Sequence, residues 1–237
     1  MKWRKLAIIL PVAGSLAAAL ITAVVAPLFK APSVGVEGKS KTPFLKIFER
    51  SNDFLATGDS HQFPSLLKAA KREAWFVGTT FYITTDQYHD QLLSKLSEGV
   101  DLNFLILSPD GAALGKVAHL LGVQEKELLD NCMSGIRTLS RLSGEARNAR
   151  LPGTLRVKII DEPFQTRLYL FDPRARDGFS YYIPQLNGTN SQTLPGFLSA
   201  NSSAEYLSTY FTGILKMWND PEAKALEDWK SAHPGFE

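Results

Sequence analysis

The sequence predicts an α/β domain, a mixed central β-sheet flanked by helices, preceded by one N-terminal transmembrane helix. Three observations carry this expectation. Residues 6–29 form an uncharged run of 24 residues, and about 20 apolar residues suffice for a helix to cross a bilayer core. Downstream, short segments dense in β-branched and aromatic residues alternate with amphipathic ones, the order that buries a sheet between helices. Of the 237 residues, 44% are hydrophobic and 21% charged, which excludes collagen-like, disordered and disulfide-scaffold classes. A net charge of +2 does not by itself announce a nucleic-acid binder. The single cysteine, Cys132, excludes an internal disulfide and a cysteine-based zinc cluster, and its setting in ELLDNCMSGI reads as a buried, inert thiol.

In the N-terminal run, Pro11 and Gly14 would be poor in a soluble helix and are tolerated in lipid. A cleaved signal peptide is the rival reading. Ala17 and Ala19 form an A-x-A pattern, but the apolar run continues ten residues past it, which favours an uncleaved anchor. Lys2, Arg4 and Lys5 form a denser cluster than Lys30, Lys39 and Lys41 on the far side. The N-terminus is therefore expected inside, and the domain outside the cytoplasm. The expectation is a single-pass protein of a bacterial inner membrane with its C-terminal domain in the periplasm. Residues 1–30 are the anchor, and residues 31–42, rich in Gly, Pro, Ser and Lys, are a linker. Residues 43–237 are enough for one domain with its own core. The sequons Asn187-Gly188-Thr189 and Asn201-Ser202-Ser203 read as ordinary polar loop residues.

The elements follow in order. Residues 60–72 suggest a helix with Phe63, Leu66, Leu67 and Ala70 on one face. Residues 74–83, AWFVGTTFYI, read as a strand. A helix over 86–96 turns Leu92, Leu93 and Leu96 inward, and residues 101–107, DLNFLIL, make a second strand closed by Ser108-Pro109-Asp110-Gly111. Helices are expected over 112–122 and 124–143, strands over 155–160 and 166–171, and a short strand over 181–183. Residues 186–202 read as loop, residues 204–218 as an amphipathic helix, and residues 221–230 as a last helix with Pro221 in its first turn. In such sheets the ligand crevice lies outside the carboxyl ends of the strands. That directs attention to Thr79–Tyr82, including Thr80, to Ser108–Gly111, and to the residues around Asp172–Tyr182.

The motifs of familiar chemistries are absent. There is no G-x-S-x-G, no Walker loop and no H-E-x-x-H, and His61, His89, His119 and His233 show no ligand spacing. No metal and no cofactor is expected. Ser60-His61-Gln62 reads as a helix-capping segment.

One constellation stands apart. Residues 154–182 run TLRVKIIDEPFQTRLYLFDPRARDGFSYY, and residues 74–111 run AWFVGTTFYITTDQYHDQLLSKLSEGVDLNFLILSPDG. Together they resemble a phospholipase D-like module. In that family an opening strand, a helix, a "GV" turn and a strand closed by a Pro-Asp turn come first. A strand pair then precedes an H-x-K-x4-D motif, a Gly-Ser segment and an Asn. FTGILKMWND resembles the helix that closes such modules, and the resemblance covers about residues 60–220.

The resemblance implies the fold, while the motif itself reads Gln165-x-Arg167-x4-Asp172. The family's chemistry uses the histidine as nucleophile and a second histidine as acid and base. Glutamine does neither. A catalytic member needs two such motifs, and a homodimer of this chain would bring two glutamines. Arg167 keeps the positive charge and can grip a phosphate with two prongs. Gly178-Phe179-Ser180 is a rough match to the Gly-Ser segment, and Asn187-Gly188-Thr189-Asn190 is another.

The reading is a membrane-anchored, catalytically inactive module. It binds an anionic phosphate-containing ligand through Gln165, Arg167 and Asp172, with Thr80, Ser180, Asn187 and Asn190, or else binds a protein partner. The rivals are an active phosphodiesterase or phospholipase using His61 or His89, and a structural subunit of an envelope complex. A plainer alternative makes Arg167 a strand residue with a surface ion pair and Gln165 a loop residue. Residues 137–176 hold nine basic against four acidic residues, a net +5. That would suit phospholipid headgroups or a nucleic-acid backbone, or simply a solvated helix face and a polar loop. Phe76, Phe81, Tyr82, Tyr169 and Phe171 are expected in the core.

Overall fold

The computed structural model describes residues 44–185, 188–189, 191–201 and 205–236. Residues 41–237 form a compact unit of their own. The expected anchor and linker, Asn187 and Asn190 lie outside the described residues. Among the described residues no helix is long and apolar enough to cross a membrane.

The unit is built on eight strands: β1 (Lys46–Phe48), β2 (Glu73–Gly78), β3 (Asp101–Leu107), β4 (Leu155–Ile160), β5 (Thr166–Phe171), β6 (Phe179–Pro184), β7 (Gly196–Ala200) and β8 (Lys224–Ala225). They form one sheet in the order β1-β7-β6-β5-β2-β3-β4-β8. β2, β3 and β4 run parallel, and every other neighbour is antiparallel. The sheet is therefore mixed, with helices on both faces. β2 and β3 are buried after their first residue because both of their faces are covered, while β4 exposes Arg156 and half-exposes Lys158. The helices are α1 (Phe63–Ala69), α2 (Tyr82–Gln87), α3 (His89–Ser97), α4 (Ala113–Leu121), α5 (Glu125–Asn148), α6 (Glu205–Trp218) and α7 (Leu226–Ala232). Two 3-10 turns, Ser51–Leu55 and Ser191–Thr193, join them.

The pleat sorts side chains into two cores. On one face Phe76, Phe104, Tyr169 and Tyr181 pack with Phe54, Phe63, Leu92 and Trp229. On the other, Val77, Leu105, Leu168 and Leu170 pack with Leu114, Val117 and Ile214. The expected core aromatics Phe76, Phe81, Tyr169 and Phe171 are all buried, while Tyr182 is half-buried. The 24 residues of α5 span about 36 Å and serve both cores. Leu128 and Cys132 join the second, and Ile136, Leu139 and Leu142 the first. Where α5 crosses from one to the other it passes α2 closely. A Cβ at Gly135 would lie 3.4 Å from the Tyr82 amide nitrogen.

Three strands, β3, β4 and β5, fall where the sequence puts them. Elsewhere the structure corrects the expectation. The helix expected over 60–72 is the shorter Phe63–Ala69, and His61 is engaged by the Asp59 carboxylate, at 2.8 Å from its amide, rather than in capping. The strand expected over 74–83 stops at Gly78, and α2 follows it. The helix expected over 86–96 is two helices, because Tyr88 leaves helical geometry at φ −114 and ψ 22. The loop expected over 186–202 contains β7, held between β6 and β1. The last helix starts at Leu226, not Pro221. The Asp220 side chain accepts the Glu222 amide (2.8 Å) in a turn, and Lys224–Ala225 pairs with β4.

Candidate functional site

The parallel strand β2 ends at Gly78, and antiparallel β5 begins beside it, with Leu168 opposite Val77. The Arg167 side chain therefore emerges at the carboxyl end of β2. Gly78 makes room for it, since a Cβ there would lie 3.2 Å from Arg167 Cγ. Arg167 lines a cavity of about 90 Å³ together with Thr80 and Thr84 after β2, Asn52 in the first 3-10 turn, and Glu127 and Asn131 on α5. Leu55, Phe81 and Leu128 supply the apolar wall. Arg167 is half-buried, and its Nε is a buried donor with no partner among the described residues. The Arg167 charge also reaches Tyr181. Burial pushes that phenol far above its ordinary range, with Arg167 working in the opposite direction. Tyr181 donates to the Ser51 carbonyl (3.1 Å) and stays a structural residue.

The expected residues separate. Thr80 and Arg167 meet in the cavity. Gln165 is exposed and lines a different depression, with Phe164, Leu168, Thr209 and Ile214. Asp172 lies just past the end of β5, five residues on from Arg167, about 16 Å at the rise of an extended strand. Its carboxylate accepts the amides of Lys71 (2.8 Å), Arg72 (2.8 Å) and Glu73 (3.0 Å), so it organises the start of β2. Ser180 lies at that same far end and donates to Asn201 Oδ1 (2.9 Å). Asn201 in turn donates to the Asp172 and Ala175 carbonyls, both at 3.1 Å. The spacing x4 along a strand puts the motif's two charges at opposite ends of the sheet.

Other residues near the strand end were not marked by any motif. Asn52, Glu127 and Asn131 arrive from elements far away in sequence. Gln185 is buried just past β6. Its Nε2 donates to Thr79 Oγ1 (3.4 Å), and its Oε1 has no partner among the described residues. No sequence signal singles these out, because α5 reaches the cavity only by crossing the end of the sheet.

None of the four histidines lines the cavity. His61 bonds Asp59 (3.1 Å) in an exposed turn, and His89 Nε2 lies 3.3 Å from Glu145 Oε2. His119 is exposed on α4. His233 bonds the Trp229 carbonyl through Nδ1 (2.7 Å) and Asp110 Oδ2 through Nε2 (2.9 Å). Ser108 and Trp229 donate to the other Asp110 oxygen. Burial acts to raise the Asp110 pKa, but these donors outweigh it and hold the carboxyl at about 2. Among the described residues no group of acidic, histidine and cysteine side chains is arranged to hold a metal. Burial pushes the Cys132 thiol up to about 12, as an inert core cysteine requires.

The basic stretch 137–176 is largely consumed locally. Arg147 pairs with Glu227 (2.7 Å), Arg156 with Asp101 (3.0 Å) and Arg174 with Glu73 (2.5 Å). Lys158 donates to the Trp218 carbonyl (2.6 Å). Arg167 has no ion pair among the described residues and, of this stretch's basic residues, is the one that lines the cavity.

No family model and no curated protein matches the chain. Solved structures similar to this chain include an archaeal chromatin protein, TrmBL2, with a novel mode of DNA binding. It is 13% identical over 90% of this chain and 63% of that one, with a TM-score of 0.46. A phospholipase D family member is among the others. Nuc of Salmonella typhimurium is 10% identical over 68% of this chain and 86% of its own, with a TM-score of 0.41. The phosphatidylserine synthase of Haemophilus influenzae is 11% identical over 71% of this chain, with a TM-score of 0.45. The chain spans 63% of the archaeal protein and 37% of the synthase.

Proposed function

We propose that this chain is a membrane-anchored module that binds a phosphate-bearing anion at Arg167 and does not cleave it. The observation that carries the reading is the guanidinium at the strand end. Its buried Nε has no partner among the described residues, in a cavity that also offers the Thr80 and Asn131 side chains. At the cavity wall the guanidinium's N–H fork can give a phosphate oxygen a charge-assisted bond. Glu127 of α5 lines the same cavity and disfavours a second negative charge there, so a singly charged diester suits the cavity better than a dianion. The inactive reading is supported by Gln165 standing where the motif's nucleophilic histidine would be, and by the cavity lining holding no histidine among the described residues. The uncharged run over residues 6–29 supports the anchoring.

The test is titration of the full chain in detergent with inorganic phosphate and with a chromogenic phosphodiester. The expected result is saturable binding, preferring the diester, lost in Arg167→Met, with no product released by the wild type. Turnover of the diester would overturn the inactive reading, and unchanged binding by Arg167→Met would overturn the site.

A further inference from the structure

Buried side chains account for most of the large apolar residues described, and three stand out as exposed: Leu45 at 48%, Ile47 at 57% and Tyr210 at 50%. Leu45 and Ile47 lie two residues apart at the start of the described chain, in and beside the edge strand β1, so the pleat turns them to one side. Phe48, next along, turns the other way into the core at 4% exposure. β1 is paired with β7 along one edge only, with Lys46 opposite Leu198 and Ile47 opposite Phe197. Natural edge strands of soluble proteins place charge or proline at such positions. Here two branched aliphatic side chains occupy them.

Their place in the chain supplies the partner. Sixteen residues, 30–45, separate the uncharged run ending at Phe29 from the start of β1. Residues 30–45 hold Lys30, Lys39 and Lys41 against Glu37, a net +2, while Lys46 and Arg50 are already paired with Asp59 and Asp53. Apolar side chains flanked by basic residues are what a protein surface needs to sit at the interface of an anionic bilayer. The aliphatic groups enter the headgroup boundary while the cations stay with the phosphates. Neighbouring aromatics give the strand a firm backing: Phe44 packs on Phe197 (5.3 Å), which stacks on Tyr182 (5.0 Å).

We infer that Leu45 and Ile47 form a lipid-docking edge, which seats the domain on an anionic membrane surface beside its own anchor. The inference rests on the proposed anchoring and goes beyond it: an anchor alone leaves the domain free on its linker, whereas docking orients it.

The experiment uses the full chain in vesicles of phosphatidylglycerol and phosphatidylethanolamine, with an environment-sensitive fluorophore at Ile47→Cys and, as control, at Lys126→Cys on α5. The native Cys132 is buried and its thiol raised to about 12, so labelling at neutral pH is confined to the introduced cysteine. The expected result is blue-shifted emission at position 47, quenched several-fold more than position 126 by nitroxide lipids and several-fold less by aqueous iodide. Docking should weaken in vesicles of phosphatidylcholine alone. Equal quenching at both positions, in chains that float with the vesicles, overturns the docking edge and leaves the anchor standing. Chains that fail to float overturn the anchor itself. Protection at position 47 that disappears when the chain is diluted to one copy per vesicle assigns the edge to a second copy and overturns the lipid reading.

Discussion

Replacing Asp172 distinguishes a structural carboxylate from a ligand-binding one. Its two oxygens accept three backbone amides, from Lys71, Arg72 and Glu73, and the residue is 9% exposed. A hydrogen bond to a charged group contributes about 1.5–3 kcal/mol. Lys71 and Arg72 are exposed residues, so water replaces part of what is lost, and Asp172→Ala is expected to cost about 3–5 kcal/mol. The backbone adds to this, because Asp172 has φ 50. Asn tolerates the left-handed region better than Ala. Asp172→Asn also keeps one acceptor oxygen, so it should lose about 2 kcal/mol. Asp172→Gly removes the acceptors while relieving the backbone, and should fall about 1 kcal/mol short of the loss in Ala. The assay is urea unfolding, with a lower midpoint at constant slope in the order Asn, Gly, Ala. Phosphate binding should be unchanged in every variant that remains folded. A folded Asp172→Asn that keeps its midpoint and loses phosphate binding would refute the placement of this carboxylate outside the site.

Arg167→Met should abolish phosphate binding and leave the urea midpoint unchanged or slightly higher, because it removes a buried donor without a partner. Gly78→Ala places a methyl group 3.2 Å from Arg167 Cγ; it should weaken phosphate binding by about threefold for a stability cost below about 1 kcal/mol, read by titration and urea unfolding together. The Asp110 carboxyl, held at about 2 in the fold, lies below its unfolded value near 4. Its stabilisation is therefore complete above about pH 4 and is lost as pH falls towards 2. Asp110→Asn should flatten that part of the acid-unfolding profile, and an unchanged profile would count against the Ser108, Trp229 and His233 donors. Cys132 should ignore a thiol reagent at pH 8 in the folded chain and react fully in urea; labelling without denaturant would show that the second core opens.

Some of this protein is written locally. β3, β4 and β5 were legible to the residue because DLNFLIL, LRVKII and TRLYLF are unbroken apolar or alternating runs, whose length and composition suit a strand and not a helix. The helices α4, α5 and α6 were legible from their periodicity, within a few residues at each end. β1, β7 and β8 were not. With three, five and two residues, they carry too little pattern of their own and exist because a neighbouring strand offers its edge. The site divides in the same way. Arg167 was identifiable from its motif position, and Thr80 from its place at the carboxyl end of an expected strand. Asn52, Glu127, Asn131 and Gln185 were not, since nothing near them in sequence refers to Arg167.

By itself the sequence determined the alternation of strands and helices, the single buried thiol, and the replacement of the expected histidine by Gln165. Only the tertiary structure decided that Arg167 and Asp172 face opposite ends of the sheet, and that α5 carries Glu127 and Asn131 to Arg167. The physical reason is range. Hydrophobic period and turn chemistry act over a few residues, whereas strand pairing and helix packing join groups tens of residues apart through contacts that no local pattern encodes.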